Sequence, residues 1–362
     1  MSGAIMDDLG PVDIPPYRPP SEAHSVLVRV TRGCAWNRCA FCGMYKGMRF
    51  EARPRAEVEA DIARLTAERP DARSIFLADS DALVHPEIVP LVAAVRRAFS
   101  GAERITSYTR LHTLSRRPLR RWLELREAGL TRLHVGLESG DDGILARVHK
   151  GATAQGAIEA GRKALAARFD LCFYVLSGLG GESDWEAHAA GTARVIAAVA
   201  PRFVRLRSLV ILPRTPLHEE LQAGSFTPAP PRTRLRETAL LIAETVRRIG
   251  ERPAPGASAL PLPAGPRAEA GARARADAAA AAAGAGAEAG SEIEIASDHF
   301  SNYIWADGRL VYGGVNGFLP GDAPLLLETL AEALRAVSAC RAVQDPAGLA
   351  RSGRGASLYS AL

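Results

Sequence analysis

The sequence has few of the features that mark secreted or membrane-spanning proteins. Its 362 residues contain five cysteines, too few for a disulfide framework in a chain of this length. No stretch reaches the ~18 consecutive apolar residues that a membrane-spanning helix needs. The first ten residues, MSGAIMDDLG, lack the basic and apolar regions of a secretory signal. We therefore expect a cytoplasmic protein with reduced thiols and no membrane partner.

Lysine is also scarce, because Lys46, Lys150 and Lys163 are the only three in the chain. The 45 basic residues exceed the 40 acidic ones by a formal charge of +5, so the positive charge comes almost entirely from arginine. Several arginines lie between residues 116 and 121, a pattern as typical of a solvated helix start as of a nucleic-acid patch. We do not expect nucleic acid as a partner, since the excess of positive charge is small.

Short apolar strands alternate with helical patterns over residues 25–250. The predicted strands begin near residues 25, 74, 104, 132, 171 and 203, and a helix follows each one. Six such units predict an α/β fold with a parallel sheet. Right-handed crossovers would curl this sheet into a partial (βα)6 TIM-type barrel, with a doubly wound sheet as the alternative. Either architecture places the chemistry at the carboxyl ends of the strands.

Composition divides the chain into five predicted segments. Residues 1–24 form a Pro-rich irregular extension, 25–250 form the barrel, and 251–290 form a Pro/Ala/Gly-rich flexible linker. A short strand, a turn and a closing helix predict a small C-terminal α+β cap at 291–345, before a tail at 346–362. Within the cap, SDHFSNYI is interpreted as a structural turn near the barrel mouth, with His299 as a weaker acid–base or ligand candidate.

Three of the five cysteines lie close together, in the stretch TRGCAWNRCAFCGMYKG. Cys34, Cys39 and Cys42 follow the first predicted strand with C-x4-C-x2-C spacing. Such thiolates could bind a zinc ion, a plant-type [2Fe–2S] cluster, or a [4Fe–4S] cluster with one iron left open. The first two sites need a fourth ligand from a distant residue such as Cys172. Three thiolates at the carboxyl edge of the sheet favour the third interpretation, because an open iron can bind a substrate.

With the aromatic Phe41 immediately before the third cysteine, the chain resembles the radical S-adenosylmethionine (SAM) superfamily. The usual spacing there is C-x3-C-x2-C, so this chain has one extra residue in the first gap, as some uncharacterised branches do. The core is similar to the tRNA methylthiotransferase, Elongator-acetyltransferase and coproporphyrinogen-oxidase-like domains, over about residues 25–250. The resemblance implies that Cys34, Cys39 and Cys42 hold a [4Fe–4S] cluster. It also implies that Phe41 packs against the cluster and the adenine side of SAM.

The resemblance implies further SAM-binding residues after the second strand. Asp79, Ser80 and Asp81 in LADSDAL stand where the superfamily often carries a turn that accepts hydrogen bonds from the SAM amino group. A carboxylate there would favour the ammonium. The alternative for Asp81 is a helix N-cap.

Later strand ends complete the implied cofactor site. Glu138 in HVGLESG would hold the ribose hydroxyls, because a carboxylate can accept two hydrogen bonds from a diol, and Lys150 would pair with the SAM carboxylate. Gly178 and Gly180 in SGLGGES would let the adenine approach the backbone. The alternatives are a capping or salt-bridge role for Glu138 and a solvated helix end for Lys150.

The implied activity is [4Fe–4S]-dependent reductive cleavage of SAM to a 5′-deoxyadenosyl radical that abstracts hydrogen from an unidentified, small-molecule substrate. Such an oxidoreductase needs a low-potential electron donor of the flavodoxin or ferredoxin type. Candidate substrate residues are Tyr108 and Arg110 at the end of the third strand, and Arg205 and Arg207, which alternate on the sixth. Arginines that face the interior would suit an anionic substrate; outward-facing ones covered by helix are the alternative. A non-catalytic iron–sulfur redox or sensor protein and an RNA-modifying radical SAM enzyme are the alternative functions.

Overall fold

A mostly parallel sheet with flanking helices forms the centre of the protein. The computed structural model describes residues 18–251, 292–297, 299–340 and 342–345. Most of the predicted N-terminal extension, the predicted linker from residue 252 onward and the predicted tail at 346–362 lie outside the described residues. No helix within the described ranges is both long and apolar enough to cross a membrane.

The described strands, in chain order, are β1 (Val26–Arg29), β2 (Thr31–Arg32), β3 (Glu51–Ala52), β4 (Ser74–Ala78), β5 (Arg104–Thr109), β6 (Arg132–Glu138), β7 (Asp170–Ser177), β8 (Phe203–Ser208), β9 (Ile293–Ala296), β10 (Ile304–Ala306), β11 (Arg309–Tyr312), β12 (Asn316–Leu319) and β13 (Val343–Gln344). Short 3-10 turns occupy Pro20–Glu22, Ala82–Val84 and Phe300–Asn302.

The described helices are α1 (Arg55–Glu68), α2 (Ile88–Ala98), α3 (Leu111–Arg116), α4 (Leu119–Glu127), α5 (Asp142–Arg147), α6 (Ala154–Ala166), α7 (Trp185–Val199), α8 (Pro216–Gln222), α9 (Pro231–Gly250) and α10 (Ala323–Ala339). Helix α4 ends where Gly129 adopts a φ of +117°, as its position after the helical pattern predicts.

The main sheet has the order β1-β4-β5-β6-β7-β8-β9-β12. Neighbours from β1 to β9 pair in parallel, and β12 pairs antiparallel with β9. The six predicted strands correspond to β1 and β4 to β8. They lie side by side in the sheet in the order in which they follow along the chain, which confirms the partial TIM-type barrel. The sheet continues beyond them, since β9 and β12 come from the predicted cap. Because Ile293 and Ile295 are fully buried in the main core, this part of the cap is integral to the sheet.

The structure defines two of the predicted elements more closely. The sixth predicted strand, β8, ends at Ser208, because Leu209 and Ile211 leave the sheet and pack in a second apolar cluster with Leu217 and Phe226. The helix predicted after β6 is two helices, α5 and α6. They are separated by a turn in which the backbone at 149 and 151 has φ values of +52° and +70°.

Alternate residues of each strand face two environments, as the pleat of a sheet requires. In β8, Val204 and Leu206 belong to the main apolar core, where the sheet packs against the helices. Arg205 and Arg207 therefore project from the opposite face, toward the interior of the partial barrel. That interior face carries polar and aromatic side chains and forms the floor of the candidate site.

Candidate functional site

The three clustered cysteines lie in the loop between β2 and β3, at the carboxyl edge of β1. Cys34, Cys39 and Cys42 all line one cavity of about 400 Å³. The same cavity reaches the interior face of the sheet, where Tyr108 and Arg207 also line it. The structure thus brings the predicted cluster ligands and three predicted substrate residues, Tyr108, Arg110 and Arg207, to one partly open cavity.

The cysteine loop is fastened to the barrel by hydrogen bonds and by apolar packing. The Trp36 indole donates to the His149 carbonyl at 2.8 Å, and the Ala40 amide donates to the Val148 carbonyl at 2.9 Å. In turn, the Leu217 amide donates to the Ala40 carbonyl at 3.0 Å. Ala40 is buried in the second apolar cluster. These contacts give the loop a defined course, so the thiols have fixed positions before any cofactor binds.

The three thiols line one cavity, and thiolates of one iron–sulfur cluster can bind different irons. In the part of the chain that the structure describes, no group of three His, Cys, Asp or Glu side chains is arranged to hold one metal ion. Three thiolates of a [4Fe–4S] cluster bind three different irons, so they need not converge on one point, whereas a zinc site requires convergence. Burial raises the pKa of the Cys42 thiol to about 11 and also raises the pKa of Cys39. Cys39 and Cys42 are therefore protonated without a metal, and cluster binding would release their protons.

Glu138 and Lys150 form an ion pair on the wall of the same cavity. Lys150 Nζ lies 2.8 Å from Glu138 Oε1, and the side chains are 11% and 15% exposed. Burial opposes the charge on Lys150, but the Glu138 carboxylate outweighs it and raises the pKa of Lys150. The ammonium also lies 5.9 Å from the centre of the Phe41 ring, a cation–π distance. Glu138, Lys150 and Phe41 all line the cavity beside the cysteines.

Gly136 makes room for this ion pair. A Cβ at position 136 would overlap the Glu138 carboxylate and would lie 2.8 Å from Lys150 Nζ. Two residues further on, Glu138 itself adopts a φ of +63°, a left-handed conformation that a side chain rarely adopts. Such a conformation persists where the surroundings determine it. Both features aim the carboxylate at the space in front of the cysteines.

A buried pair on two helices holds the backbone around Glu138. His188 Nε2 lies 3.1 Å from the Glu138 carbonyl, and His188 Nδ1 lies 3.3 Å from Glu237 Oε1. Glu237 also accepts hydrogen bonds from the Gly178 amide at 3.0 and 3.1 Å. Burial disfavours the charged imidazole, but the Glu237 carboxylate prevails and raises the pKa of His188. The His188–Glu237 pair thus contacts both the end of β6 and the turn after β7.

The three residues predicted to bind the SAM amino group have different positions. Ser80 lines the cavity, and its hydroxyl donates to the Gly33 carbonyl at 3.0 Å. Asp79 is fully buried and accepts hydrogen bonds from Arg29 at 2.9 Å and from the Gly33 amide at 3.3 Å. It fixes the start of the cysteine loop and does not line the cavity.

Asp81 is also fully buried, and it points to α3 instead of the cavity. Its carboxylate accepts from the Thr109 hydroxyl at 3.1 Å and from the Thr113 hydroxyl at 2.5 Å. Of the three residues, only Ser80 lines the cavity, and the cofactor contacts of all three stay predictions. Asp81 does not cap a helix with its side chain, which was the alternative.

The glycine turn after β7 is shaped by packing. Gly178 has a φ of +84°, and a Cβ there would lie 3.2 Å from Arg234 Cδ. A Cβ on Gly180 would lie 2.7 Å from the Asp184 carbonyl, at the start of α7. Neither glycine lines the cavity. The approach of adenine at Gly178 and Gly180 stays a prediction.

The four predicted substrate residues separate into two groups. Tyr108, Arg110 and Arg207 line the cavity. Arg110 lies over the Trp36 ring, with 4.8 Å between the guanidinium carbon and the ring centre. Arg205 faces the interior but does not line the cavity, because its guanidinium pairs with Glu294 of β9 at 2.6 Å. The sequence could not reveal this partner, which lies 89 residues away.

Sequence reasoning missed two residues on the cavity floor, His134 of β6 and Tyr174 of β7. The Tyr174 hydroxyl lies 3.4 Å from His134 Nδ1, and His134 Nε2 lies 3.1 Å from Glu22 Oε1. Burial lowers the pKa of His134 despite the nearby Glu22 carboxylate, so the imidazole is neutral at pH 7. A signal was available, since His134 lies two and four residues before Gly136 and Glu138 and must share their face of the strand.

The segment predicted as a structural turn forms a 3-10 turn on the end of β8. The Asn302 amide donates to the Leu206 carbonyl at 3.0 Å and to the Ser297 carbonyl at 2.7 Å, and it accepts from the Ser208 hydroxyl at 2.9 Å. His299 Nδ1 lies 2.8 Å from the Ser301 hydroxyl and does not line the cavity. The Asn302 side chain therefore joins this turn to the end of β8.

Comparison with known proteins gives one family and several distant structures. Residues 28–191 match the model of the radical SAM superfamily. No curated protein matches the chain.

Three solved structures illustrate the distant likeness. Methylornithine synthase (PylB) is 17% identical, with 61% of this chain and 63% of that chain covered and a TM-score of 0.45. The radical SAM methyltransferase TsrM from Kitasatospora setae, with cobalamin and a [4Fe–4S] cluster bound, is 19% identical, with coverage of 55% and 39% and a TM-score of 0.47. The archaeal Elp3 of Methanocaldococcus infernus is 13% identical, with coverage of 61% and 54% and a TM-score of 0.42. The matched region spans less than two thirds of each of these solved chains.

Proposed function

This chain carries a radical SAM domain at residues 28–191, and we propose that it cleaves SAM reductively and abstracts hydrogen from a small molecule bound in the cavity. Enzymes of this superfamily use a [4Fe–4S] cluster and SAM. When bound, these two groups supply a 5′-deoxyadenosyl radical that takes a hydrogen atom from the substrate, and methionine leaves. The protein itself supplies the binding sites, their orientation and a space that excludes competing hydrogen donors.

The observation that carries the proposal is the shared cavity of the three cysteines and the Glu138–Lys150 pair. The thiolates of Cys34, Cys39 and Cys42 would hold three irons, because soft sulfur ligands suit iron–sulfur clusters. Glu138 would accept hydrogen bonds from the two ribose hydroxyls. Lys150 would bind the carboxylate of the cofactor through a charge-assisted hydrogen bond.

Further residues line the remaining walls of the cavity. Ser80 and Phe41 border the cysteines, and Tyr108 and Arg207 border the interior end. A substrate at the interior end would lie in the same cavity as the proposed cofactor residues. The proposed partners are this substrate and a low-potential donor of the flavodoxin or ferredoxin type, in the cytoplasm. A cavity of about 400 Å³ suits a small molecule rather than nucleic acid.

The test is an anaerobic assay of reconstituted protein with dithionite and SAM. Wild-type protein should bind iron and sulfide, and it should produce 5′-deoxyadenosine and methionine in equal amounts by liquid chromatography. Cys39→Ser should lose both the visible absorption of the cluster and the products. Cys340→Ser is the matched control, because Cys340 follows α10 and does not line the cavity. A stable cluster whose spectrum does not change when SAM is added, together with no cleavage of SAM, would indicate the non-catalytic redox or sensor function instead.

A further inference from the structure

A second pocket lies beside the cysteine loop, and we call it the outer pocket. Its volume is about 630 Å³, and its lining residues include Trp36, Arg38, Leu111, His112 and His149. None of its lining residues also lines the cavity of the three cysteines. The outer pocket is therefore a separate space, to which the proposed cofactor contacts make no claim.

Only a short stretch of polypeptide separates the outer pocket from the cysteine cavity. Lys150 lines the cysteine cavity, and its neighbour His149 lines the outer pocket. In the cysteine loop, Cys34 lines the cavity, and Trp36, two residues later, lines the outer pocket. A molecule that sits at the outer pocket would thus lie close to the proposed cluster ligands without entering the cavity.

Trp36 is the residue that connects the outer pocket to a proposed cluster ligand. The peptide group that follows Trp36 contacts Cys34, because the Asn37 amide donates to Cys34 Sγ at 3.4 Å. The indole is held by its hydrogen bond to the His149 carbonyl and lies against Gly151, where a Cβ would be 2.6 Å from Trp36 Cζ2. Since electron transfer through protein weakens steeply with distance, a fixed aromatic ring beside a cluster ligand is a suitable entry point for an electron.

Positive charge surrounds this ring. The guanidinium carbons of Arg38 and Arg110 lie 5.0 and 4.8 Å from the centre of a Trp36 ring, at cation–π distances. Burial and the nearby charges of Arg110 and Arg116 lower the pKa of His112, which lines the outer pocket. Among the described residues, none of these three arginines has a carboxylate partner in a salt bridge.

Negative charge is scarce in the outer pocket. Among the described residues that line it, the one carboxylate is Asp142, whose Oδ1 accepts a hydrogen bond from the Ala154 amide at 2.6 Å. The walls also include the apolar side chains of Leu111 and Leu145. A positive rim steers an acidic protein toward it, and apolar walls provide contact area for the small interface of a transient redox complex.

We propose that the outer pocket and the arginines around Trp36 form the docking surface for a small acidic electron-transfer protein that carries a flavin or an iron–sulfur cluster. This inference rests on the proposed function, which needs an electron from a donor of low potential. In the docked complex the donor is oxidised by one electron, the cluster held by the three cysteines is reduced by one electron, and no proton or covalent bond is exchanged. Nucleic acid would also be attracted to arginines, but it supplies no electron.

The experiment measures the Kd of an oxidised bacterial flavodoxin for cluster-reconstituted, unreduced protein by biolayer interferometry in about 50 mM salt. We expect Arg38→Glu to raise this Kd by about 10-fold or more, because a charge at the rim is reversed. Arg309→Glu is the matched control, since Arg309 is exposed on β11, does not line the outer pocket and gives the same change of net charge. It should raise the Kd by less than about 3-fold.

Two further measurements keep the result interpretable. An unchanged visible absorption of the cluster in Arg38→Glu confirms that the cysteine loop is intact. Arg116→Glu repeats the test from α3, outside the cysteine loop, and should raise the Kd by about 3-fold or more. SAM cleavage with dithionite, a small reductant that needs no docked protein, tests the proposed function separately, so failure of one is distinguishable from failure of the other.

Three results would overturn the docking surface. One is an equal change of Kd in Arg38→Glu and Arg309→Glu, and another is no binding of flavodoxin to wild-type protein at concentrations up to about 100 µM. The third is transfer RNA that binds wild-type protein more tightly than flavodoxin does and loses affinity in Arg38→Glu, because the surface would then be a nucleic-acid site.

Discussion

His188 and Glu237 form an ion pair in the interior of the protein, with 3.3 Å between Nδ1 and Oε1 and with side-chain exposures of 0% and 1%. The pair joins α7 to α9, and each partner reaches the backbone of a different strand end. His188 contacts the Glu138 carbonyl, and Glu237 accepts from the Gly178 amide. Two helices that never touch the cavity therefore determine the conformation of the residue proposed to hold the ribose.

Removing one partner of this pair should strongly destabilise the protein. Glu237→Ala leaves a buried imidazolium and the Gly178 amide without a carboxylate, and we expect the free energy of unfolding to fall by about 3–5 kcal/mol. Urea denaturation followed by circular dichroism measures this change. Glu244→Ala on the same helix is the control, because Glu244 pairs with arginines at the surface and should cost less than about 1 kcal/mol. Equal losses in the two variants would contradict the buried ion pair.

The same pair predicts a pH dependence of stability. The pKa of His188 is raised above its ordinary value of 6.5 because the Glu237 carboxylate outweighs the cost of burial. Its stabilising contribution is therefore complete below pH 6.5 and is lost as pH rises through the folded pKa. We expect the free energy of unfolding to decrease with rising pH more steeply in wild-type protein than in His188→Gln. Parallel curves above pH 6.5 would refute a charged His188.

Gly136→Ala tests the space beside the cavity ion pair. The added Cβ would overlap the Glu138 carboxylate and crowd Lys150, so both charged groups must move from the proposed cofactor contacts. We expect the Kd of SAM to rise about 10-fold or more, since each charge-assisted hydrogen bond contributes roughly 1.5–3 kcal/mol. Equilibrium dialysis of unreduced, reconstituted protein measures this value. Gly101→Ala, where a Cβ meets nothing within 4 Å, should leave SAM binding unchanged.

Asp81 gives a second pH dependence of stability, which comes from burial rather than from an ion pair. Burial outweighs the hydrogen bonds from Thr113 and Thr109 and raises the pKa of Asp81 from 3.8 to about 6. The folded state binds a proton that the unfolded state has lost, so stability falls as pH rises from about 3.8 to about 6. Asp81→Asn should remove about 3 kcal/mol of this dependence, at ~1.4 kcal/mol per pKa unit. Identical slopes in both proteins would show that Asp81 titrates normally.

Strand periodicity was enough to predict the fold. The alternation of apolar strands and helices predicted all six parallel strands of the barrel, and β6 begins at the predicted residue, Arg132. Strand ends such as Ser208 are harder to predict, because they depend on where the chain leaves the sheet. Tertiary contacts of Leu209 and of Asn302 decide that point, and they involve residues distant in sequence.

The residues of the candidate site could be predicted from the sequence where they follow the carboxyl end of a strand. Cys34, Glu138 and Lys150 line the cavity as expected, although their roles stay predictions. Asp79 and Asp81 also follow the end of a strand, but their carboxylates bond to protein groups on other elements and do not line the cavity. Residue type and spacing do not reveal such partners. His188 and Glu237 escaped notice for the same reason, because each lies in a helix without any motif.

The pairing of β8 with β9 makes the barrel depend on the far end of the chain. Arg205 and Glu294, which meet across this ladder, are separated by 89 residues, so the contact closes a very long loop. During synthesis, the edge of β8 stays open until the C-terminal strand has left the ribosome. A polypeptide cut after α9 would keep every proposed cluster and cofactor residue but would present a bare strand edge, which invites association with other chains. The segment that contains β9 is thus needed to cover this edge of the sheet.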